Sequence, residues 1–266
     1  MTDQRSVNKS LAELVSLEGR NAVITGAARG IGAAIAARLA EAGADLFLID
    51  RNADQLEHTA RELARYGGRV SSSILDITRS DALQAAAADA VTQLGGIDIW
   101  VNNAGISPRV GTLEMTDEQW DAVMDLNLRA AFIGSRSAAQ HMQASGRRGV
   151  IVNITSSTVK RVSANPLHYR VSKQGLVAMT QSLAVELGRN GIRVVAIAPT
   201  LVETPWVAEL RARGYGEGFD KFVKRLPLGR IGSPDDVARV VLFAVSELAS
   251  FVTGTVLEVD GGECCV

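Results

Sequence analysis

The sequence contains little cysteine and few aromatic residues. Cys264 and Cys265 are its two cysteines, they are adjacent, and aromatic residues make up 5% of the 266 residues. A disulfide framework needs more cysteines at wider spacings, so the composition predicts a protein of a reducing, cytoplasmic setting. A vicinal redox pair is conceivable, but two incidental residues near the carboxyl end are the simpler interpretation.

The sequence also lacks a charge excess and a long apolar run. Lys plus Arg number 28 and Asp plus Glu 29, for a formal net charge of −1. Nucleic acids and anionic membranes both attract a basic face, so neither is expected as a partner. No run approaches the ~20 apolar residues that span a bilayer. Residues 1–19 lack the charged-then-apolar layout of a secretory signal and are predicted to be a polar lead-in.

From residue 20 to 266, short apolar runs alternate with longer stretches of helical period, without a repeat or linker. This alternation predicts an α/β fold, a single-domain Rossmann fold whose doubly wound parallel sheet has about seven strands and helices on both faces. Strands are expected near 21–25, 44–50, 69–77, 97–105, 149–156, 192–199 and 254–262. Residues 116–144 are predicted to be one helix that Thr116 begins in capping-box spacing. The polar, glycine-containing segment at about 200–230 is predicted to be an active-site lid.

A glycine-rich turn follows the first predicted strand directly. In Thr25-Gly-Ala-Ala-Arg-Gly-Ile-Gly32, Gly26 permits a sharp turn, Gly30 lets the backbone approach a phosphate, and Gly32 lets the helix pack on the strand. The N–H groups and positive dipole end of the following helix suit a pyrophosphate. The order of strand, turn and helix therefore predicts a dinucleotide site.

The residue at the end of the second strand indicates which dinucleotide binds. Asp50 can accept hydrogen bonds from the adenosine ribose hydroxyls and repel a 2′-phosphate, which favours NAD over NADP. Arg29 and Arg51 are placed where a guanidinium can meet that phosphate, and Asp is also a common helix cap. The carboxylate is the stronger signal, because an anion facing a phosphate costs more than a flexible arginine recovers.

Tyr169 and Lys173 lie four residues apart and share a helix face, while Ser156 ends the fifth strand. Free tyrosine, with a pKa of ~10, is a poor base at neutral pH, and a neighbouring ammonium favours its phenolate. Ser156 can hold a substrate oxygen where charge develops. Taken alone, a Tyr–Lys pair usually lies on a solvated surface, but the strand end Thr155-Ser-Ser157 supports catalysis. His168 points elsewhere on the helix and is interpreted as a bystander.

Together these motifs resemble the short-chain dehydrogenase/reductases, in the branch of about 250-residue enzymes that commonly form tetramers. The resemblance covers nearly everything from Arg20 to Gly262. It rests on the glycine turn, Asn102-Asn-Ala-Gly105, Ser156, Tyr169-x-x-x-Lys173 and Pro199.

The resemblance implies a role for each matching residue. Tyr169 is implied as the acid/base, Ser156 as the partner of the substrate oxygen, Lys173 as a charge and ribose ligand, and Asn127 as a helix-kinking residue that orders a water of the proton relay. Without the other motifs, Asn127 would be interpreted as a solvent-exposed helix residue. The implied cofactor-binding residues are Gly26, Arg29, Gly30, Ile31, Gly32, Asp50, Arg51, Asp76, Ile77, Asn103, Ala104, Gly105, Tyr169, Lys173, Pro199, Val202 and Thr204. No metal is expected.

One departure from the family is visible. The family usually has Pro-Gly after the sixth strand, whereas this chain has Pro199-Thr200. The missing glycine can redirect the backbone at the start of the lid, which bears on the nicotinamide contacts implied for Val202 and Thr204. The Ser-Tyr-Lys set is unaffected.

The leading hypothesis is an oxidoreductase that transfers a hydride between NAD and a secondary alcohol or ketone, such as a polyol, sugar or sugar acid. An NADPH-dependent 3-ketoacyl reductase is the alternative, and a non-catalytic nucleotide-sensing protein is a distant third. The substrate pocket is expected among residues 107–111, 157–168 and the lid. Basic residues in or near these loops favour a polar or anionic substrate: Arg109, Lys160, Arg161 and Arg170. A homotetramer is implied by the family, with small residues of helices 116–144 and 166–190 suited to close packing within or between chains.

Overall fold

A computed structural model describes residues 9–161 and 166–266. Its sheet has seven strands in the order β3-β2-β1-β4-β5-β6-β7, and every neighbouring pair is parallel. The strands are β1 (Asn21–Thr25), β2 (Asp45–Asp50), β3 (Val70–Ile74), β4 (Ile99–Asn102), β5 (Val150–Ile154), β6 (Arg193–Pro199) and β7 (Val256–Val259). The predicted doubly wound sheet is confirmed. Strand order reverses between β1 and β4, so a crevice opens at their carboxyl ends.

Ten α-helices connect or flank the described strands. They are α1 (Leu11–Val15), α2 (Gly30–Glu41), α3 (Ala53–Leu63), α4 (Ser80–Leu94), α5 (Asp117–Met124), α6 (Ala130–Ala144), α7 (Leu167–Leu187), α8 (Pro205–Leu210), α9 (Gly216–Val223) and α10 (Pro234–Val245). Among the described helices, none has the length and hydropathy to cross a bilayer.

Two layers of apolar side chains cover the sheet. One layer joins α2, α3 and α10 to one face, and the other joins α4, α6 and the end of α7 to the opposite face. All five residues of β1 and of β5 are buried, as expected for parallel strands covered on both sides. The alanines at 130–131 and 138–139, which suit packing within or between chains, are buried inside this chain.

The described part of the amino-terminal lead-in contains a short capped helix and one residue that packs in the core. Residues 1–8 lie outside the described part, but α1 begins with a capping box in which Ser10 accepts from the Glu13 N–H and Glu13 accepts from the Ser10 N–H. Leu17 is 1% exposed and belongs to the core layer of α2. Although the segment is mostly polar, Leu17 therefore attaches it to the core.

The predicted helix over 116–144 is present, with a local irregularity. Thr116 caps α5 in the predicted capping box with Gln119. A π-helical turn, Asp125–Arg129, joins α5 to α6. Such turns insert one residue into the helical ladder and occur often at functional sites. Asn127 lies in this turn.

The segment at about 200–230, predicted to be an irregular active-site lid, is partly helical. Residues 205–223 form α8, a π-helical turn and α9, and the chain bends at Gly214, whose φ is +92°. Val207, Leu210 and Phe219 form a small apolar cluster of their own. The helical period was hidden because the two helices are short and separated by this glycine.

Buried polar side chains tie the centre of the sheet together. Asn102 accepts from Trp100 Nε1 at 2.7 Å and donates to Ser135 Oγ and Asn153 Oδ1, each at 2.8 Å. Asn153 in turn donates to Thr180 Oγ1 at 2.9 Å, which links β4 and β5 to α7. A fully satisfied network of this kind fixes the relative positions of the elements that carry it.

We predict that Asn102→Ala lowers the free energy of unfolding by about 2–4 kcal/mol, because it leaves buried partners without hydrogen bonds. Chemical denaturation measures the change. Asn190→Ala, at an exposed position, is the control and should change stability by less than about 0.5 kcal/mol. Equal losses in the two variants would contradict the role of the network.

Candidate active site

The glycine turn leaves β1 and enters α2 with very little space. Gly26 and Gly30 have φ values of +66° and +59°, in the left-handed region that glycine adopts freely. A Cβ on Gly32 would overlap the carbonyl oxygen of Gly26. Gly26 and Gly32 therefore have the predicted roles in the sharp turn and in the close packing of helix on strand, while the approach of the Gly30 backbone to a phosphate stays a prediction.

The amino end of α2 is open to an anion. Arg29 is at the N-cap position, and none of the described side chains caps this helix or places a carboxylate in its first turn. In contrast, α3, α5 and α10 each receive a side-chain cap. Free N–H groups and the positive dipole end fit a pyrophosphate. This observation supports the fit of a dinucleotide to the turn.

Asp50 faces this turn from the end of β2. Its Oδ2 accepts from the Ala28 N–H at 3.1 Å and its Oδ1 from the Asn52 N–H at 3.0 Å. Asn52, and not Asp50, caps α3 by accepting from the Gln55 N–H. The interpretation of Asp50 as a helix cap is therefore excluded, and its carboxylate is held beside the glycine turn.

The two arginines near Asp50 are placed differently. Arg29 Nη1 lies 3.5 Å from Glu209 Oε1 of α8, and both side chains are about half exposed. Arg51 is exposed and lines an open cleft of about 500 Å³ with Asp76 and Arg79. Neither arginine is buried, so both side chains can adjust to a ligand.

The acid after β3 belongs to this cleft. Asp76 accepts from the Thr78 N–H at 3.0 Å and the Thr78 hydroxyl at 2.9 Å, and these bonds hold the pKa of its carboxyl below the ordinary value. The next residue, Ile77, is 8% exposed and packs in the core layer of α4. Its side chain therefore packs in the core and does not face the cleft.

The loop after β4 is bound to the glycine turn. Asn103 donates from Nδ2 to the carbonyl oxygens of Thr25 and Gly26, both at 3.0 Å, and the N–H groups of Asn103 and Ala104 donate to Thr25 Oγ1. Thr25 was not among the predicted site residues, although a hydroxyl at a strand end was the available signal. A Cβ on Gly105 would lie 3.1 Å from Asn127 Oδ1.

The start of the lid lies over the same turn. Pro199 ends β6, and Val202 is buried and forms an isolated parallel bridge with Gly232. A Cβ on Gly30 would lie 3.5 Å from the Thr204 methyl group, so Thr204 faces the glycine turn. Thr200 has no left-handed φ, because all described positive-φ residues are glycines. Threonine therefore fits the backbone where the family usually has glycine.

Ser156, Tyr169 and Lys173 converge beyond the end of β5. Ser156 is 8% exposed, and its hydroxyl interacts with the Tyr169 hydroxyl and lowers the Tyr169 pKa. Lys173 Nζ lies 5.7 Å from the centre of the Tyr169 ring and donates to the Ile154 carbonyl at 2.8 Å. One strand end and one helix face therefore assemble the three groups, as the spacing predicts.

Burial dominates the ionisation of these groups. It raises the pKa of Tyr169, while the hydrogen bond with Ser156 lowers that pKa. Burial also lowers the pKa of Lys173 to about 8. Both shifts have one cause, since a low-dielectric environment disfavours the charged form of either group. Burial and Ser156 account for the Tyr169 shift, so the expected lowering of the tyrosine pKa by Lys173 is not supported.

Asn127 supports the site from the π-helical turn. It is 1% exposed, accepts from the Ile106 N–H at 2.9 Å, and donates to the Ile106 carbonyl at 2.9 Å and Ser172 Oγ at 3.1 Å. The solvent-exposed interpretation is therefore wrong, because the π turn directs the side chain inward. Ser172, between Tyr169 and Lys173, was missed because serine in a helix is common.

The residue before Tyr169 is fully buried. His168 Nδ1 accepts from the Tyr169 N–H at 2.8 Å, and burial lowers the pKa of its imidazole. His168 Nε2 has no partner among the described residues. Burial therefore disfavours the charged form of this imidazole. Residues 162–165, part of the predicted pocket wall, lie outside the described residues.

Strand β7 and the segment after it contact the loop after Ser156. Glu258 pairs with Lys160, and Cys264 Sγ lies 3.8 Å from the Ser157 carbonyl oxygen. Within the described chain, Glu258, Asp260 and Cys264 bring possible metal-ligand atoms within 4.8 Å of one another. The Lys160 ammonium already balances one of these carboxylates. Burial and the nearby carboxylates raise the pKa of the Cys264 thiol to about 12, so it is not a ready thiolate.

The doubly wound sheet, with a glycine turn at its switch point, defines a dinucleotide-binding protein of the Rossmann type. A family model described as enoyl-(acyl carrier protein) reductase matches residues 26–263. The 3-oxoacyl-[acyl-carrier-protein] reductase of Thermotoga maritima is 37% identical over 248 residues, which cover 92% of this chain and 98% of that protein. The 4-formylbenzenesulfonate dehydrogenase of Comamonas testosteroni is 38% identical over 250 residues, with 93% and 99% covered.

Solved structures agree. A short-chain type dehydrogenase/reductase from Mycobacterium marinum has a TM-score of 0.91 at 33% identity, covering 97% of this chain and 100% of that chain. A proposed 2-deoxy-D-gluconate 3-dehydrogenase from Agrobacterium tumefaciens with bound NADP has a TM-score of 0.86 at 39% identity, covering 95% and 99%. The chain belongs to the short-chain dehydrogenase/reductase family. It is therefore an oxidoreductase of the class that acts on alcohol and ketone groups with a nicotinamide cofactor.

We predict that Gly32→Ala weakens NAD binding by at least about tenfold, because its Cβ displaces the Gly26 carbonyl and the adjoining N–H groups. Calorimetric titration measures the affinity. Gly188→Ala is the control, since a Cβ there meets open space and the backbone is helical. Unchanged NAD affinity in Gly32→Ala would be incompatible with the close contact described.

Lys173→Met should abolish turnover yet be at least as stable as the wild type at pH 7. Below pH 8 the folded wild type holds a buried cation, whose cost corresponds to roughly 3 kcal/mol, partly offset by the hydrogen bond to Ile154. Between pH 8 and the ordinary lysine pKa, the unfolded chain binds this proton more tightly, so wild-type stability rises with pH. Chemical denaturation should therefore show that the variant exceeds the wild type in free energy of unfolding by less at pH 9.5 than at pH 7. An equal deficit at both pH values would refute this origin.

Proposed function

We propose that the protein transfers a hydride between NAD and a secondary alcohol or ketone, with a polyol, sugar or sugar acid as substrate. The observation that carries the proposal is the convergence of Ser156, Tyr169 and Lys173 beside an uncapped dinucleotide turn. The proposed catalytic domain begins near residue 20, and 200–230 is its lid. The cofactor, when bound, supplies the hydride acceptor or donor.

The residues supply the proton chemistry. Ser156 donates a hydrogen bond to the substrate oxygen, and Tyr169 accepts the alcohol proton as the hydride leaves carbon. Lys173, protonated below a pKa of about 8 and 5.7 Å from the centre of the Tyr169 ring, is placed to stabilise negative charge that develops on the Tyr169 oxygen during proton transfer, and can bind the ribose. Asn127 holds the π-helical turn beside Gly105, which supports its proposed role in a proton relay. In the reducing direction, Tyr169 returns the proton.

Asp50 supports the preference for NAD. Its carboxylate is held by the Ala28 N–H beside the turn, where a 2′-phosphate would meet negative charge. NADP is the alternative, because a structural relative contains it and because the exposed Arg29 and Arg51 can reach a phosphate. The remaining proposed cofactor contacts are Gly26, Gly30, Ile31, Gly32, Asp76, Ile77, Asn103, Ala104, Gly105, Pro199, Val202 and Thr204.

The basic residues near the pocket give less support to an anionic substrate than their sequence suggests. Lys160 pairs with Glu258, Arg161 Nη1 lies 3.4 Å from Glu263, and Arg170 donates to the Thr158 carbonyl at 3.0 Å. These charges are partly balanced inside the chain. Neutral polyols and sugars are therefore favoured, while a sugar acid agrees with the proposed 2-deoxy-D-gluconate 3-dehydrogenase relative.

The second candidate is an NADPH-dependent 3-ketoacyl reductase. The similarity to the Thermotoga maritima 3-oxoacyl-[acyl-carrier-protein] reductase favours it. A cytoplasmic homotetramer without a nucleic-acid, membrane or metal partner remains our expectation for either function. Apolar side chains that are exposed in the monomer on α6 and α7, such as Phe132 and Val185, agree with association between chains.

The catalytic assignment is tested with sorbitol, gluconate, 2-deoxy-D-gluconate and acetoacetyl coenzyme A, each with the matching oxidised or reduced form of NAD and NADP. We expect turnover with a hydroxylated substrate and a loss of about 10³-fold in Tyr169→Phe, which removes the proton acceptor. Tyr66→Phe, at a distant tyrosine that contacts Arg65, is the control. Full activity in Tyr169→Phe would exclude the mechanism, and turnover of acetoacetyl coenzyme A alone would favour the second candidate.

The cofactor preference is tested by titrating the protein with NAD and NADP. We expect NAD to bind at least about tenfold more tightly, and Asp50→Ala to narrow this ratio by removing the repelling carboxylate. Asp54→Ala, in the exposed first turn of α3, should leave the ratio unchanged. Tighter NADP binding by the wild type would assign the preference to Arg29 and Arg51 instead.

A further inference from the structure

A buried carboxylate near the carboxyl end connects two walls of the active site. Glu263 is 8% exposed, and one of its oxygens accepts a hydrogen bond from Thr200 Oγ1. Its other oxygen lies 3.4 Å from Arg161 Nη1. We call Thr200, Glu263 and Arg161 the Glu263 bridge. Burial of a carboxylate has a large desolvation cost, which only well-fixed hydrogen-bond partners can offset.

Arg161 belongs to the turn that positions Ser156. In this turn the Thr158 N–H donates to Ser156 Oγ at 3.3 Å, the Val159 N–H to the Ser156 carbonyl at 3.1 Å, and the Arg161 N–H to the Ser157 carbonyl at 3.0 Å. Displacement of Arg161 therefore moves the backbone that sets the direction of the Ser156 hydroxyl. The bridge fixes the far end of this turn.

Thr200 belongs to the other wall. It directly follows β6 and precedes Val202, which bridges to Gly232, and Thr204, which faces the glycine turn. The family usually has glycine at this position, which has no hydroxyl to donate. The departure from the family pattern therefore supplies one member of the bridge.

The segment that carries Glu263 is itself firmly held. Asp260 accepts from the Gly262 N–H at 3.0 Å and the Cys264 N–H at 2.8 Å, and the Leu228 N–H donates to the Gly261 carbonyl at 3.2 Å. A Cβ on Gly262 would lie 2.7 Å from the Pro227 ring, so the segment also packs on the end of the lid. These contacts fix the backbone of Glu263 independently of its contacts with Arg161 and Thr200.

We propose that Glu263 is a positioning residue, which aligns the Ser156 turn with the start of the lid through Arg161 and Thr200. This inference rests on the proposed function, since the aligned groups are those of the Ser-Tyr-Lys mechanism. Loss of the bridge leaves the cofactor turn intact but misdirects Ser156. Loss of the bridge should therefore lower kcat, because the Ser156 hydrogen bond strengthens as charge develops on the substrate oxygen.

The test compares Glu263→Gln, Thr200→Val and Thr200→Ser in the full-length protein. Thr200→Val keeps the shape of the side chain and removes its hydroxyl, whereas Thr200→Ser keeps the hydroxyl. Asp235→Asn breaks the Arg38–Asp235 pair at a distance from the site, where Arg38 Nε lies 2.6 Å from Asp235 Oδ1, and controls for loss of an acidic partner. Each variant is assayed for kcat and KM with the most active substrate of the panel above and for NAD affinity by calorimetry.

We expect Glu263→Gln and Thr200→Val to lower kcat about tenfold with less than about twofold change in NAD affinity. Thr200→Ser should retain wild-type kcat, and Asp235→Asn should change stability alone. A kcat within about twofold of the wild type in both Glu263→Gln and Thr200→Val would overturn the proposal. So would a fall in activity that only follows the loss of folded protein.

Hydrogen exchange separates this proposal from the proposed function, since it needs no substrate. The amides of Lys160 and Arg161, which donate to the Ser157 carbonyl, should exchange at least about tenfold faster in Glu263→Gln than in the wild type or Asp235→Asn. Unchanged exchange there overturns the bridge even if the enzyme is active. Faster exchange in a protein inactive on the whole panel supports the bridge and contradicts the proposed function.

Discussion

The close approach of α2 to the end of β1 is the constraint on which the rest of the site depends. No side chain fits between Gly32 and the Gly26 carbonyl, and Asn103 fastens the same turn from β4. The contact places the uncapped helix end at the point where strand order reverses. A dinucleotide held there extends along the carboxyl ends of the strands, towards Ser156 after β5 and the lid after β6.

The proposed catalytic groups are buried at an energetic cost that the surrounding fold offsets. Lys173 is 4% exposed and its pKa is about 8, so near neutrality the folded protein holds a cation that burial disfavours. The hydrogen bond to the Ile154 carbonyl and the buried network of Asn102 and Asn153 hold β5 and α7 in place around it. Functional sites often contain groups, such as this buried cation, that lower the stability of the folded protein.

Local patterns predicted the parts of the protein that depend on neighbours in sequence. The glycine turn, the capping box at Thr116 and the helical spacing of Tyr169 and Lys173 are of this kind, and the alternation of strands and helices predicted the sheet. The lid helices escaped prediction because they are short and bent at Gly214. The partners of Glu263 could not be predicted, since Arg161 and Thr200 are brought to it only by tertiary packing. The buried position of Asn127 depends on the π-helical turn, which no local pattern indicates, although the family resemblance implied a helix-kinking asparagine there.

The central claim is direct hydride transfer at this crevice between a carbinol carbon and a nicotinamide cofactor. The most direct measurement uses oxidised cofactor with the best alcohol substrate, deuterated at the reacting carbon, and follows the reduced cofactor by mass spectrometry. The account predicts one deuterium in each reduced cofactor molecule formed. Unlabelled reduced cofactor, with the deuterium released to water, would contradict it.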